Sequence, residues 1–194
     1  IFYLLPKIHK EKSKWTIPDK MPEGRPIVSD VESESYRVSQ YIDTFITPLS
    51  IKHTTYLKNT YDFISKIRNK TVPAECFLVT GDVSALYTNM LHDRTLSCVE
   101  NIFKKYPDPL RPDKHLIELL KITLKNNDFQ FNGKNYLQTC GTPIGKVYAP
   151  ALANIYMLEF DEKAVYGFKT KPLLFFRYLD DIFFIWTGSI EELK

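Results

Sequence analysis

Two adjacent acids stand between apolar arms near the end of the sequence. Asp180 and Asp181 interrupt an aromatic and aliphatic run that extends from Phe175 to Trp186. Because Asp tolerates turn conformations, the pattern predicts a tight hairpin with these two acids as its two-residue tip. Neighbouring carboxylates beside an apolar support repel each other and are costly to bury unless a positive partner is present. An ordinary surface turn is the alternative interpretation.

A third acid follows another apolar run. Residues 76–83 predict a buried strand, and simple alternation puts Asp82 on the same face as Leu78 and Thr80. If this strand and the hairpin are neighbours, three carboxylates converge into a site for hard divalent cations, which take oxygen ligands. An aspartate at a strand end is equally typical of a turn or a helix cap, so spacing alone leaves both interpretations open.

The other periodic segments predict a mixed order of elements. Apolar spacing and capping residues predict helices at 33–48, from 59 or 60 to about 67, at 93–106, at 113–125 and at 150–167. Asn132-Gly133, between two short alternating runs, predicts a hairpin. Strands and helices do not alternate as a parallel doubly wound sheet requires, so the predicted class is α+β.

Size and composition favour a folded chain with a substantial core. The chain has 194 residues, of which 44% are hydrophobic and 14% aromatic, which excludes a disordered protein. The formal net charge is only +3, but basic residues crowd the first part of the chain. This crowding favours a polyanionic partner, although interspersed acids leave an ordinary solvated basic face as the alternative.

Cysteine usage and hydropathy bear on location. Three scattered cysteines suit neither a disulfide framework nor a zinc cluster and fit a reducing compartment. No signal-peptide pattern occurs, and the most apolar segment, residues 173–186, is too short and too charged to cross a bilayer. We therefore expect an intracellular protein with no membrane partner. The sequence opens on Ile1 and stops at Lys194 in a polar stretch, from which we expect a longer parent chain.

Five segments resemble those of reverse transcriptases. LVTGDVSALYTN at 78–89 resembles their first catalytic motif, and RYLDD at 177–181 resembles their aspartate-pair motif. FYLLPKIHK at 2–10 and GRPIVS at 24–29 resemble fingers motifs of the Penelope-like retroelements. GTPIG at 141–145, followed by 149–154, resembles that family's template and nucleotide loop. The segments keep the family's order over nearly the whole chain. Telomerase catalytic subunits are related to this family.

The resemblance implies a right-hand polymerase fold, with an antiparallel palm sheet backed by helices and with fingers. It assigns 1–75 to the fingers, 76–92 to the palm with the first catalytic motif, 93–137 to connecting helices and hairpin, and 138–194 to the palm. The thumb and the GIY-YIG nuclease domain usual in the family are expected to be absent from this sequence. The implied activity is RNA-directed DNA synthesis by a retroelement, with nucleotidyl transfer to a primer 3′-hydroxyl.

The same resemblance implies a metal site. Asp82, Asp180 and Asp181 would be catalytic and, with the backbone carbonyl of Val83, would hold two Mg²⁺ ions, for which Mn²⁺ could substitute. Adjacent residues at a turn need not point the same way, so Asp181 is the weakest of the three assignments.

The resemblance also implies substrate contacts. The residues concerned are Lys7, Arg25, Tyr87, Gln138, Gly141 and Gly145. Tyr87 matches a steric gate that excludes a ribose 2′-hydroxyl, although a core aromatic is its alternative role. Arg25 would grip the incoming triphosphate, a task suited to a guanidinium, and Lys7 would belong to the same cluster. The residues that depart from the commoner loop pattern are Ile144, Lys146 and Tyr148.

The implied partners are an RNA or DNA template with a DNA primer and deoxynucleoside triphosphates, and the expected location is the nucleus. Two other classes stay open. A catalytically inactive nucleic-acid-binding relic of the same fold would not need its acids. A two-metal nuclease could use three carboxylates, but it would have no need of a gate at Tyr87 or of the Arg25 segment.

Overall fold

The computed structural model describes residues 2–167 and 169–193. Residues 1, 168 and 194, which fall in the predicted ranges 1–75 and 138–194, lie outside the described part. The elements run in the order β1 (Phe2–Pro6), β2 (Gly24–Val28), α1 (Tyr36–Ser50), α2 (Thr60–Ile67), β3 (Phe77–Asp82), α3 (Leu86–Asn89), α4 (His92–Lys105), α5 (Asp113–Lys125), β4 (Asp128–Phe131), β5 (Lys134–Leu137), α6 (Ala149–Tyr166), β6 (Leu174–Tyr178) and β7 (Asp181–Trp186). The mixture of helices with antiparallel sheets agrees with the predicted α+β class.

The strands form three small antiparallel sheets. β1 pairs with β2, β4 pairs with β5, and a three-stranded sheet has the order β3-β7-β6. In that larger sheet β7 is central, so β3 and β6 are its edges in the described part of the chain. The division into four ranges of palm and fingers stays a prediction.

Four helices, α1, α4, α5 and α6, build the main core. Their buried apolar residues form one cluster that includes Ile46, Val99, Leu120 and Leu152. α6 is buried on nearly every side of its first half, because α1 and α4 both pack against it. The apolar spacing that predicts the helix at 150–167 puts Phe160 on its buried stripe, but Phe160 is exposed. A helix enclosed by neighbours loses the one-sided pattern that periodicity detects.

Local signals predicted several boundaries well. α5 begins and ends where it was predicted, and Asn132-Gly133 forms the hairpin turn with φ angles of 49° and 72°. Pro48 was predicted to end α1, but the helix continues to Ser50. Proline removes only one backbone donor when it lies in the last helical turn, so the chain can remain helical for two more residues.

The predicted burial of the β3 strand was wrong. Leu78 is 68% exposed and Phe77 is 45% exposed. The apolar run does form a strand, but it pairs with β7 on one side only and most of its side chains stay exposed in the described structure. Burial depends on what covers a strand, which an apolar run by itself does not specify. Among the described residues, no helix is both long and apolar enough to cross a membrane.

Leu152 gives a test of the helical core. Its side chain is wholly buried in α6, so Leu152→Ala should lower the free energy of unfolding by about 2–5 kcal/mol through lost apolar contacts and the cavity left behind. Leu110→Ala is the matched control, because Leu110 is 91% exposed and its loss should change stability by no more than about 0.5 kcal/mol. Urea denaturation measures both, and equal effects would contradict this description of the core.

Candidate active site

The structure brings the three predicted acids to one end of the β3-β7-β6 sheet. In the antiparallel pairing of β3 with β7, Asp82 lies directly opposite Asp181. The backbone N–H of Val83 donates to the carbonyl oxygen of Asp180 at 2.9 Å, which ties the residue after β3 to the turn. The strand and the hairpin are therefore neighbours, as the convergence of the acids requires.

The hairpin turn differs by one residue from its predicted position. Tyr178 pairs with Asp181, so the two turn residues are Leu179 and Asp180, and Asp181 is the first residue of β7. Leu179 has a φ of 53°, in the left-handed region that L-residues enter at a cost. The prediction placed the two acids in the turn because Asp suits such conformations, but the strand pairing puts the strained position on Leu179.

The acids affect each other electrostatically. Partial burial, then the charge of Asp180, then that of Asp82, raise the pKa of Asp181 above its usual value. Asp82 and Asp181 are both exposed to solvent. Within residues 2–167 and 169–193, no three His, Cys, Asp or Glu side chains are drawn together into a ready-made metal cluster. The arrangement is thus a group of mutually repelling carboxylates, of which Asp82 and Asp181 are exposed and Asp180 is partly buried.

Tyr87 lies in the field of these acids. Burial, followed by the charges of Asp180 and Tyr178, raises the pKa of its phenol, and the positive charge of Arg25 partly opposes this. Arg25 is exposed on β2, opposite Leu5 of β1. The Tyr87 ring is half-buried and also packs against the helical core, so both roles considered for it, gate and core aromatic, are compatible with its position.

Lys7 and Gln138 make contacts within the protein. Lys7 Nζ forms an ion pair with Glu23 at 3.1 Å, and Lys10 binds the same carboxylate. The Gln138 side chain donates to the carbonyl of Cys140 at 2.9 Å and accepts from the Asn127 amide at 3.1 Å. Gln138 therefore holds the start of the 138–145 loop, and Lys7 is paired with an acid of its own segment.

The two predicted loop glycines are needed for close backbone packing. Gly141 has a φ of 77°, and a Cβ there would lie 2.5 Å from the carbonyl oxygen of Tyr87. A Cβ at Gly145 would clash with the carbonyl oxygen of Val28. The loop is thereby pressed between the helix that carries Tyr87 and the end of β2. The contacts of Gly141 and Gly145 with template and nucleotide stay predictions.

Two departures from the expected loop pattern have tertiary explanations. Lys146 is buried and its Nζ lies 2.6 Å from Asp30 Oδ1, which joins the loop to the segment after β2. Burial alone would raise the pKa of Asp30, but the hydrogen bonds from Lys146 and Ser33 hold it below its usual value. Tyr148 is buried in the helical core, where its hydroxyl is 3.0 Å from Thr123 Oγ1.

The site contains a buried arginine that sequence reasoning missed. Arg177 in β6 is 0% exposed, and its guanidinium makes a bidentate pair with Asp161 of α6 at 2.8 and 2.9 Å. It also donates to Asn154 Oδ1 at 3.0 Å and to the carbonyl oxygen of Leu179 at 2.9 Å. A charged residue inside an aromatic strand was the available signal, because such a residue can be buried only with a partner.

The chain segment before α2 completes this buried cluster. Thr55 accepts a backbone hydrogen bond from Arg177 at 2.8 Å, and its hydroxyl donates to Asp161 Oδ2 at 2.7 Å. Leu57 N–H donates to the carbonyl of Arg177 at 3.0 Å. Burial lowers the pKa of the adjacent His53 to about 4, so this imidazole is neutral near pH 7. The outer edge of β6 is thus bonded by residues 55–57.

The fold is similar to that of solved telomerase structures from Candida species. Telomerase from Candida tropicalis truncated from its C-terminal domain has a TM-score of 0.64 at 14% identity, covering 97% of this chain and 43% of that chain. Telomerase from Candida albicans in complex with a TWJ fragment of telomeric RNA has a TM-score of 0.63 at 13% identity, covering 97% and 38%. This chain spans less than half of those telomerase chains. At such identities the likeness shows the fold alone.

The sequence comparisons add little. An uncharacterized 91 kDa protein in a cob intron of Schizosaccharomyces pombe is 29% identical over 84 residues, which are 43% of this chain and 9% of that protein. No protein-family model matches the chain.

Asp181→Asn tests the repulsion among the acids. A raised pKa means that the folded state holds the Asp181 proton more tightly than the unfolded chain, so stability falls as pH rises from the ordinary aspartate pKa of 3.8 through the raised value. The substitution should therefore raise the free energy of unfolding near pH 7 and leave it unchanged near pH 3.

Urea denaturation of the metal-free protein at both pH values measures the effect. Asp128→Asn is the matched control, since Asp128 is an exposed acid of β4, in a different sheet. A gain near pH 3 as large as that near pH 7, or an equal gain in the control, would show that the acids do not repel one another.

Proposed function

We propose that this chain is the fingers and palm part of an RNA-directed DNA polymerase that transfers nucleotides to a primer 3′-hydroxyl. The observation that carries the proposal is the pairing of Asp82 with Asp181 beside a turn that holds Asp180. Those acids stand at one end of a sheet in a chain whose fold is similar to that of telomerase. The sequence segments that resemble reverse-transcriptase motifs supply the acids, and this agreement between motif and register supports a shared catalytic role.

The acids suit a pair of divalent cations. Asp82, Asp180 and Asp181, with the carbonyl of Val83, offer only oxygen donors, which Mg²⁺ prefers and which Mn²⁺ also accepts. Partial burial is the largest cause of the raised pKa of Asp181, and the charges of Asp180 and Asp82 add to it; bound cations would neutralise that local excess of negative charge. Opposed residues of an antiparallel pair have Cα atoms about 4.5–5.5 Å apart, so side-chain rotation is enough to bring their carboxylates onto shared ions. When bound, the ions would lower the pKa of the primer hydroxyl and stabilise the leaving pyrophosphate.

The residues around the acids would bind and select the nucleotide. The charge of Asp180 raises the pKa of the Tyr87 phenol and the charge of Arg25 lowers it, so both charges act on this side chain. The exposed Arg25 guanidinium would bind the triphosphate, and the Tyr87 ring would occupy the space of a ribose 2′-hydroxyl. Lys7 would add positive charge to the same region, although Glu23 already pairs with it.

The 138–145 loop would contact the template and the nucleotide base. Gly141 and Gly145 let it lie close to the Tyr87 helix and to the end of β2, and Gln138 bonds within the loop to Cys140. A cavity of about 360 Å³ lies between this loop, β1, β2 and the β4-β5 hairpin. Its wall is mostly apolar and its position beside the loop suits a stacked base.

The source and partners belong to the same proposal. A Penelope-like retroelement accounts for the motifs at 2–10 and 24–29, and an RNA or DNA template with a DNA primer and deoxynucleoside triphosphates are the partners that such an enzyme uses. Because this chain spans less than half of the telomerase chains, the activity of the whole protein would need the rest of the polymerase. A nuclear location follows from the same reasoning.

A non-catalytic nucleic-acid-binding protein of the same fold is the second candidate. The observation that favours it is the open arrangement of the acids, since the described residues contain no ready-made metal cluster. Such a protein would bind a primer and template without extending the primer, and its binding would not depend on divalent cations.

Asp82→Asn separates these candidates. In the full-length protein with Mg²⁺, a primed RNA template and deoxynucleotides, loss of one ligand should reduce primer extension at least about 100-fold, because charge stabilisation and alignment supply most of the catalysis. Asp128→Asn, which removes one exposed acid outside the site, is the matched control and should extend normally. Binding of primer and template without extension by the unaltered protein would favour the second candidate.

Tyr87→Ala tests the gate. Opening the space beside the sugar should raise ribonucleotide incorporation relative to deoxynucleotide incorporation roughly 10- to 200-fold, the range that one small group in a pocket supplies. Tyr87→Phe keeps the ring and should keep the selectivity. The ratio of kcat/KM values for matched nucleotide pairs measures it, and equal selectivity in both variants would assign Tyr87 to the core alone.

A further inference from the structure

We infer that Arg177 is the positioning residue of the aspartate turn, and that Asn154 and Asp161 of α6 hold it in the one orientation that serves this purpose. The inference deepens the proposed function and rests on it for its catalytic consequence. It concerns a residue that would touch neither metal nor substrate and would act through the peptide that precedes Asp180.

The guanidinium of Arg177 is completely satisfied. Arginine has five N–H donors in a planar fork, and each has an acceptor here. Nε and one Nη2 hydrogen reach the two carboxylate oxygens of Asp161, and the second Nη2 hydrogen reaches the Asn154 carbonyl at 3.3 Å. Nη1 donates to Asn154 Oδ1 and to the carbonyl oxygen of Leu179. A buried fork with every donor bonded has one orientation, and lysine cannot reproduce it.

The contact with Leu179 determines the shape of the turn. Leu179 has a φ of 53°, a conformation that leucine avoids unless its surroundings compensate. Its carbonyl oxygen belongs to the peptide that precedes Asp180 and accepts from Arg177 at 2.9 Å. The carbonyl of Asp180 accepts from Val83 N–H at 2.9 Å. Both peptides that flank Asp180 are thus anchored, one by a buried charge and the other by the chain that follows Asp82.

The support on the other side of Arg177 is rigid. Asn154 and Asp161 lie about two turns apart on α6, the helix at the centre of the buried core, and both are nearly inaccessible to solvent. Asp161 also accepts from the Thr55 hydroxyl, and Thr55 O accepts from the backbone N–H of Arg177. The position of the turn is therefore tied to the helical core rather than to the exposed sheet edge, and a small loosening of this tie would misplace the acids.

Two substitutions test the inference in the full-length protein. Arg177→Lys keeps the charge but loses the fork, and Asn154→Ala removes one support with less risk to folding. Both should speed hydrogen exchange of the Val83 amide, observed by NMR without metal. Both should lower kcat for primer extension by ~10- to 100-fold and raise the Mg²⁺ concentration for half-maximal rate, with KM for the deoxynucleotide within about 2-fold of the wild-type value.

Arg111→Lys is the matched control. Arg111 is also a buried arginine, bonded to Asp113 and to the carbonyl oxygens of Phe103 and Tyr106, with no contact to the turn. It should lower the thermal unfolding temperature as Arg177→Lys does, but leave Val83 exchange and the Mg²⁺ requirement unchanged. This comparison separates a loss of general stability from a misplaced turn.

The outcomes are distinct. The inference is overturned if Arg177→Lys and Asn154→Ala both keep the wild-type exchange rate of the Val83 amide and the wild-type Mg²⁺ dependence. It is also overturned if the Arg111→Lys control changes these two quantities equally. If the wild-type protein extends no primer, the proposed function fails, and the exchange of the Val83 amide still decides whether Arg177 positions the turn.

Discussion

The buried ion pair of Arg177 with Asp161 is the interaction on which the candidate site depends. A guanidinium and a carboxylate removed from water are costly unless every hydrogen-bonding group finds a partner, and this pair meets that condition with help from Asn154 and Thr55. Because breaking such a network is costly, it holds the Arg177 side chain in one orientation. It joins α6, the β6 edge and the strained residue Leu179, so the acids of the turn take their position from the helical core.

A second constraint joins the 138–145 loop to the rest of the site. Gly141 and Gly145 let the loop backbone approach two other segments more closely than any side chain would allow. The buried pair of Lys146 with Asp30 then fastens the end of the loop to the segment that follows β2. The exposed Arg25 and the half-buried Tyr87 therefore stand on elements whose relative positions are restricted by packing and by the buried Lys146–Asp30 pair. An open group of carboxylates stands beside this frame, where we propose that divalent cations and the nucleotide bind.

Local signals predicted the parts of the fold that local chemistry decides. The limits of α5, the Asn132-Gly133 hairpin and the end of α6 at Tyr166 lie where helix-end, turn and breaker residues within a few positions indicate them. The exposure of β3, the continuation of α1 beyond Pro48 and the enclosure of α6 were not predicted, because each depends on which other element lies alongside. The same limit explains why the turn was placed one residue too late.

The sequence by itself determined which groups are available: three acids in motif-like settings, a basic first segment, and the residues that cap helices and turns. Only the tertiary structure decided that Asp82 faces Asp181 and that Leu179 takes the strained turn position, since strand register is set by pairing between distant segments. It alone also decided that Arg177 is buried on Asp161 rather than solvated. Side-chain identity and periodicity are local properties, whereas register, burial and charge pairing arise from contacts that the order of residues does not display.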